Sequence, residues 1–113
     1  VLCESEVPCG RAADQAFEAQ NITPTPASRE IDVRATLAKI TLKEADAAIV
    51  YQSDVVAEDG VDGVQIPLDQ NVVLEYPLVW FNTDEHTVGL AEFIAGPAGE
   101  KSLTNLGFSL PTP

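Results

Sequence analysis

The amino-acid sequence predicts an α/β fold in which helices cover both faces of a mostly parallel sheet, a three-layer sandwich. Strand-like and helix-like segments alternate along the chain, which is the order that places helices between parallel strands. The unbroken apolar run at 47–51 is bounded by acidic and amide residues, as is typical of a strand covered on both faces. Residues 32–42 carry apolar side chains at helical spacing behind Asp32, a residue type that caps helix N-termini.

The first third of the chain predicts a strand, a helix and an extended connector before that capped helix. The opening three residues have the apolar character of a strand. Alanines and Phe17 recur at helical spacing over residues 11–20 and predict a short helix packed by one face. Two prolines follow within residues 23–26, and each disfavours helix at the residue before it. This connector is therefore expected to be extended.

In the predicted helix 32–42, the apolar stripe consists of Val33, Leu37 and Ile40, and Thr36 lies off that stripe. The remainder of the chain predicts further strands and then two helices. Extended segments are expected at 64–66 and at 72–81, and a proline within the second places it at an edge or a bend. The two helices span residues 88–95 and 97–106. The second has a proline at its first position and a glycine after its end.

The charge balance excludes several classes of partner. The chain has 113 residues, six of them basic and eighteen acidic, which gives a formal net charge of −12. DNA, RNA and acidic membranes would meet net repulsion. An apolar content of 45% is sufficient for one packed domain, and no apolar run is long enough to cross a bilayer.

Cys3 and Cys9 lie six positions apart across a turn-like segment, and three interpretations of the pair stay open. A disulfide would stabilise the fold by roughly 2 to 2.5 kcal/mol in the chain-entropy model, and it persists only in an oxidising compartment. Two buried free thiols are the second interpretation. A redox or metal pair is the third, and with a single histidine in the chain it lacks further ligands at a convincing spacing.

The sequence contains no clear catalytic or cation-binding motif. His86, the single histidine, lies in a polar loop without a nucleophile motif, so a solvated side chain is the better interpretation than a general base. The acidic stretch 54–62 lacks the alternating oxygen donors of a calcium loop and predicts a solvated hairpin loop. Glycine motifs that bind phosphates or dinucleotides are absent. These residues therefore single out no catalytic site.

Two predicted helix starts and one tyrosine are the candidates for an anion pocket. The helices begin directly after turns, near Cys9 and at Val33, and the first turn of a helix presents free N–H groups and a positive dipole end to small anions. Tyr51 ends the apolar run, at the carboxyl end of a strand where ligands of open α/β sheets bind. If these groups converge, they form an oxyanion pocket; otherwise they are ordinary helix ends.

Several short segments stand in an order that is found in one protein family. They are Glu6-Val7-Pro8-Cys9-Gly10, Glu30-Ile31-Asp32-Val33-Arg34, the stretch from Leu42 to Asp54, Val64-Gln65-Ile66-Pro67, Asn71, Glu75-Tyr76-Pro77 and Gly107-Phe108. In this order they resemble the periplasmic molybdate-binding proteins of ABC importers. The resemblance covers nearly all of the chain, including the two terminal helices.

The resemblance implies a binding function without chemistry. The family has the type II binding-protein fold, in which two α/β lobes hold an oxyanion in the cleft between them through neutral hydrogen-bond donors. Carried over by position, the contacts are the backbone N–H of Cys9, the backbone N–H of Val33 and the hydroxyl of Tyr51. The ligand is molybdate or tungstate, with no other cofactor and no bare metal ion. A Cys3–Cys9 bridge would pin the binding turn.

The resemblance also implies the partners and the compartment. The chain is expected to work with the membrane subunits of an ABC importer, without nucleic acid, in the periplasm or outside the cell, with a lipid-anchored form as one variant. Two alternatives stay open: the effector-binding domain of a transcription regulator with the same fold, and a receptor for another oxyanion such as sulfate. The cysteine pair and the acidity argue against the regulator.

The resemblance divides the chain into two regions. Residues 1–81 correspond to the second lobe with the returning hinge strand, and residues 82–113 to C-terminal helices that pack on the first lobe. The chain has no methionine and opens within a strand, so it is expected to be part of a longer protein that supplies the first lobe. Without that lobe the exposed apolar surface would favour a dimer.

Overall fold

The computed structural model describes residues 1–111 and forms two compact units, Val1–Leu74 and Glu75–Pro113. The last two residues of the predicted region 82–113 lie outside the described part. The two units are treated separately below. Within residues 1–111, no helix is long and apolar enough to cross a membrane.

The first unit is rich in helix and contains a small parallel sheet. Its elements are β1 (Leu2–Cys3), α1 (Pro8–Ala19), β2 (Arg29–Glu30), α2 (Val33–Thr41) and α3 (Gln52–Ala57). The strands pair in parallel, with Leu2 opposite Arg29 and Cys3 opposite Glu30. Each strand is followed by a helix, as the predicted α/β class requires. The sheet of the described residues has two strands.

Helix α1 confirms the predicted helix at 11–20 and begins three residues earlier. Pro8 occupies the first helical position, where its missing N–H is no loss because that group would have no acceptor in the helix. Ala13 is 2% exposed and anchors the buried face. The helix ends where Asn21 adopts a left-handed conformation, with φ of 55°.

Helix α2 confirms the predicted helix at 32–42 but corrects its buried face. Thr36 is fully buried, while Val33, Leu37 and Ile40 of the predicted stripe are only half-buried. The reason is that the face of α2 turned toward β1 is centred on Thr36, which contacts Cys3. The helix ends before Lys43, whose φ is 60°.

The predicted strands after α2 are wrong for the described residues. Residues 47–51 are half-buried or exposed and belong to no strand. The amino group of Val1, just before β1, donates to the Ala47 carbonyl at 2.7 Å. Residues 64–66 and 72–81 also lie outside strands, and Val64 is 94% exposed. An apolar run does not specify which backbone will pair with it, and a strand exists only with a hydrogen-bonded partner.

The second unit consists mainly of a helical hairpin, α4 (Glu85–Ala95) and α5 (Pro97–Asn105), which confirms both predicted C-terminal helices. Asp84 caps α4 by accepting the N–H of Thr87 at 3.0 Å. Gly99 lies so close to the backbone of α4 that a side chain there would clash with it. Before the hairpin, Trp80 is 49% exposed.

Candidate functional site

The turn between β1 and α1 places Cys9 in the first turn of a helix. The Val7 N–H donates to the Glu4 carbonyl at 3.1 Å, and the Arg11 N–H donates to the Val7 carbonyl at 3.0 Å. Cys9 is the second residue of α1, so its N–H comes before the first intrahelical donor and points out of the helix start. Cys9 as a whole residue is 6% exposed.

The start of α2 is capped in a way that leaves its first N–H to other acceptors. The Asp32 side chain accepts the N–H of Ala35 at 2.8 Å, and the Asp32 carbonyl accepts the N–H of Thr36 at 3.1 Å. Val33 is the first residue of the helix, and neither bond uses its N–H. The cap therefore fixes the conformation of the turn without occupying the N–H of Val33.

Parallel pairing brings these two helix starts to one edge of the sheet. Helix α1 follows the carboxyl end of β1, α2 follows the carboxyl end of β2, and the carboxyl ends of parallel strands lie at the same edge. One further bond, from the Glu4 N–H to the Glu30 carbonyl at 2.8 Å, extends the pairing beyond the strands. The structure thus places positions 9 and 33 at the same end of the sheet, just beyond the carboxyl ends of β1 and β2.

The Cys3–Cys9 disulfide, one of the three interpretations of the cysteine pair, forms in this structure, with Cα atoms 5.8 Å apart. Its Cys3 sulfur lies 3.3 Å from the hydroxyl oxygen of Thr36, in the first turns of α2. The disulfide therefore joins the start of α1 to β1 and contacts the start of α2.

Tyr51 immediately precedes α3. Its N–H donates to the Asp54 carboxylate at 2.9 Å, and its carbonyl accepts the Asp54 N–H at 3.1 Å. A groove of about 350 Å³ runs between α2 and α3, and residues from the first turn of each helix, Arg34 and Asp54, line it. The lining extends along both helices as far as Thr41 and Glu58, so α2 and α3 are neighbours. The three predicted ligand positions belong to one unit.

A charged network holds α1 against β2 behind these turns. Arg29 donates to the Asp14 carboxylate at 2.8 Å and to the Cys3 carbonyl at 2.8 Å. The hydroxyl of Ser5 donates to the other oxygen of Asp14 at 2.6 Å. The hydrogen bond from Arg29, followed by that from Ser5, lowers the pKa of Asp14. Asp14 is thus held as a carboxylate that ties the middle of α1 to β2 and to the turn that precedes α1.

The other candidates from the sequence are a cation site and His86 as a general base. Within residues 1–111, no cluster of three or more acidic, histidine or cysteine side chains is arranged to hold a metal ion. His86 is exposed on α4 in the second unit. The α1 and α2 starts present neutral N–H donors, a type of group that binds anions reversibly, and the Asp32 carboxylate lies beside the start of α2.

Sequence reasoning missed two residues that organise this region, Thr36 and Arg29. A threonine inside a helical pattern gives no sign that it will be buried, because its burial depends on where β1 lies. Arg29 lies within an ordinary polar stretch, and its partner Asp14 is 15 positions away. Neither residue carries a local sequence signal.

Comparisons with known proteins agree on one family. The family model described as "Bacterial extracellular solute-binding protein" matches residues 3–109. Proteins named molybdate-binding protein ModA from Mycobacterium bovis and from Mycobacterium tuberculosis strain H37Rv are each 31% identical over 115 residues, which covers 98% of this chain. The Escherichia coli K12 protein of the same name is 32% identical over 111 residues and covers 92% of it.

The chain spans less than half of the length of these relatives. The matched part is 44% of each mycobacterial protein and 43% of the Escherichia coli protein. No solved structure matches the chain at a significant level.

Proposed function

Because the chain belongs to the bacterial extracellular solute-binding proteins, we propose that it takes part in capturing molybdate or tungstate outside the cytoplasm for an ABC importer. The observation that carries the proposal is the position of two helix starts at one sheet edge, in a chain 31% identical to molybdate-binding proteins. Capture requires binding and release without bond making, so the proposed protein is not an enzyme.

The proposed ligand contacts are the N–H groups of Cys9 and Val33 and the hydroxyl of Tyr51. Neutral donors allow a protein of net charge −12 to bind a dianion, because the surface charges are screened over about 8 Å at physiological salt while the donors touch the ligand. A fixed set of donors also selects by size. Molybdate and tungstate are therefore expected to bind more tightly than sulfate.

The proposed fold goes beyond the two-stranded sheet seen in the described residues. We assign the chain to one lobe of a type II binding protein, with a three-layer α/β arrangement completed in the full-length protein. Residues 1–81 would form the second lobe and its hinge strand, and residues 82–113 would pack on the other lobe. A crystal structure of the full-length protein tests this directly, and residues 82–113 packed on the same lobe as residues 1–81 would contradict it.

Calorimetry on the full-length protein tests the function. Molybdate, tungstate, sulfate and phosphate are titrated separately into protein shown to be folded by circular dichroism. The expected result is saturable binding of molybdate and tungstate, with weaker binding of the other two. Tighter binding of sulfate would favour the alternative oxyanion receptor, and no heat with any oxyanion would reject the proposal.

The proposed compartment, the periplasm or the cell exterior, has an independent test. The disulfide between Cys3 and Cys9 is stable in an oxidising compartment and is reduced in the cytosol. Mass spectrometry of protein extracted under thiol-blocking conditions should find both cysteines unmodified by the blocking reagent. Blocked cysteines would instead favour a cytosolic effector-binding domain. Retention of the protein in a detergent-soluble membrane fraction would favour the lipid-anchored form.

A further inference from the structure

Thr36 and the Cys3–Cys9 disulfide form a buried contact between the starts of two helices. The Cys3 sulfur and the Thr36 hydroxyl oxygen are 3.3 Å apart, and both residues are completely buried. The partner sulfur belongs to Cys9, in the first turn of α1. We call these three residues the brace. Cys9 of α1 is thus bonded to Cys3, and Thr36 of α2 contacts the Cys3 sulfur, so the disulfide lies between the two helix starts.

The Thr36 hydroxyl has a second contact that fixes its orientation. It donates to the Asp32 carbonyl at 2.9 Å. A disulfide sulfur carries no hydrogen and can only accept, so the Thr36 hydroxyl is the donor to both groups, and the carbonyl oxygen is the nearer and stronger of the two acceptors. The side chain therefore links the disulfide to the backbone at the start of α2.

The carbonyl held by Thr36 belongs to the same peptide group as the N–H of Val33. A peptide group is planar, so fixing the direction of its carbonyl also fixes the direction of its N–H. The Thr36 N–H donates to the same Asp32 carbonyl at 3.1 Å. The backbone N–H and the hydroxyl of Thr36 both donate to the Asp32–Val33 peptide group. The hydroxyl also contacts the disulfide, so the peptide group is held at a fixed position relative to the disulfide.

We propose that the brace positions the N–H of Val33 relative to the N–H of Cys9 and thereby sets the affinity and size selectivity for a tetrahedral oxyanion. This inference rests on the proposed function. Donors that are held in place before the ligand arrives lose less freedom on binding, which strengthens binding. Donors free to shift would accommodate anions of different sizes, so loosening the brace should also reduce the preference for molybdate over sulfate.

Substitutions at Thr36 separate positioning from general stabilisation. Thr36→Ser retains the hydroxyl and its bond to the Asp32 carbonyl, whereas Thr36→Val keeps the shape and removes the hydroxyl. Thr41→Val is the matched control, because the Thr41 hydroxyl also donates to a carbonyl of α2, that of Ala38 at 3.1 Å, but at the far end of the helix. The dissociation constants for molybdate and sulfate are measured for full-length proteins at a temperature where circular dichroism shows all of them folded.

The expected result is a rise of about tenfold in the molybdate dissociation constant for Thr36→Val, a loss of about 1.4 kcal/mol of binding free energy. Thr36→Ser and Thr41→Val should stay within about twofold of the wild type. The ratio of the sulfate to the molybdate dissociation constant should fall in Thr36→Val. A purely structural role would lower the unfolding free energy while leaving this ratio unchanged in the folded protein.

Removing the disulfide tests whether the three residues act as one unit. The double variant Cys3→Ala, Cys9→Ala retains the N–H at position 9 and should also weaken molybdate binding. Adding Thr36→Val to it should change the dissociation constant by less than about twofold, because coupled residues give non-additive losses. Multiplicative losses would overturn the brace as a unit.

The outcomes distinguish this inference from the proposed function. If the wild type binds molybdate and Thr36→Val binds it with equal affinity and selectivity, the brace proposal is wrong and the receptor proposal stands. If the folded wild type binds no oxyanion, the receptor proposal is wrong and the inference falls with it. Should the cysteine variant fail to fold, the comparison of Thr36→Val with Thr36→Ser still tests whether the Thr36 hydroxyl sets the affinity and selectivity.

Discussion

Gly10 lies against the backbone carbonyl of Glu4, at a separation that leaves no room for a Cβ atom. The same carbonyl accepts the N–H of Val7 and so closes the turn that leads into α1. Helix α1 can start this close to β1 only because position 10 has no side chain. The approach also brings Cys9 within disulfide distance of Cys3.

Gly10→Ala is therefore expected to destabilise the protein by about 1 to 3 kcal/mol, because the backbone of the turn must move to admit the methyl group. The matched control is Gly89→Ala in α4, where a Cβ would have no neighbour within 4 Å. That control should be stabilised by about 0.4 to 1 kcal/mol. Urea unfolding of both variants measures the difference, and equal effects would contradict the close approach at Gly10.

Tyr51→Phe should weaken molybdate binding roughly tenfold or more, since a hydrogen bond to a charged group contributes about 1.5 to 3 kcal/mol. Tyr76→Phe is the control, because Tyr76 is 69% exposed and its ring packs edge-on against Phe108 in the second unit. It should bind as the wild type does. Calorimetry on the full-length variants provides the test, and an unaltered affinity in Tyr51→Phe would remove the hydroxyl from the proposed site.

Asp32→Asn should retain the cap of α2 and strengthen molybdate binding. Asparagine accepts the Ala35 N–H as aspartate does, so the unfolding free energy should change by less than about 0.5 kcal/mol, whereas Asp32→Ala should lose about 1 kcal/mol. Loss of a negative charge beside Val33 should tighten molybdate binding about two- to fivefold at low salt, and less at high salt. If the molybdate affinity changes neither with Asp32→Asn nor with the salt concentration, the ligand does not bind beside Val33.

The stability of the first unit should fall in acid through Asp14. Its folded pKa is lowered, first by the hydrogen bond from Arg29 and then by that from Ser5. The stabilisation is therefore complete above the pKa of the unfolded carboxyl, about 3.9, and is lost as the pH falls through the lower folded pKa.

Asp14→Asn should flatten the dependence of the unfolding free energy on pH below about pH 4, as followed by urea unfolding at several pH values. Asp62→Asn, at an exposed loop position, is the control and should keep the slope of the wild type. Identical slopes in all three proteins would mean that the Asp14–Arg29 pair does not contribute.

Helices α1, α2, α4 and α5 could be predicted from the sequence because their signals are local, whereas α3 overlaps the stretch 54–62 that is predicted as a hairpin loop. Asp32 caps α2 from the adjacent position, and Pro97 begins α5. The opening strand is also predicted and is confirmed as β1, but its partner strand and the absence of strands after α2 in the described residues could not be predicted in the same way. Residues 47–51 are as apolar as a buried strand, yet the ladder forms between Leu2–Cys3 and Arg29–Glu30, and that pairing depends on contacts between distant parts of the chain.

In the candidate site too, local sequence signals predict some features, and contacts between distant residues determine the others. The positions of Cys9 and Val33 at helix starts follow from prolines and caps close to them in sequence. Both positions lie at the same end of the sheet because β1 and β2 pair in parallel, and no local sequence pattern specifies this pairing. The burial of Thr36 depends further on the disulfide, so sequence periodicity placed it on the wrong face of α2.

The exposed Trp80 determines what intrinsic fluorescence can report. It is the single tryptophan of the chain and lies in the unit that begins at Glu75, whereas Cys9, Val33 and Tyr51 lie in the other unit. Its emission therefore monitors the polarity around residue 80, and the emission wavelength of a half-exposed indole is that of a water-contacting one. A shift of this emission to shorter wavelength on adding molybdate would be an optical signal that the second unit responds to a ligand held by the first.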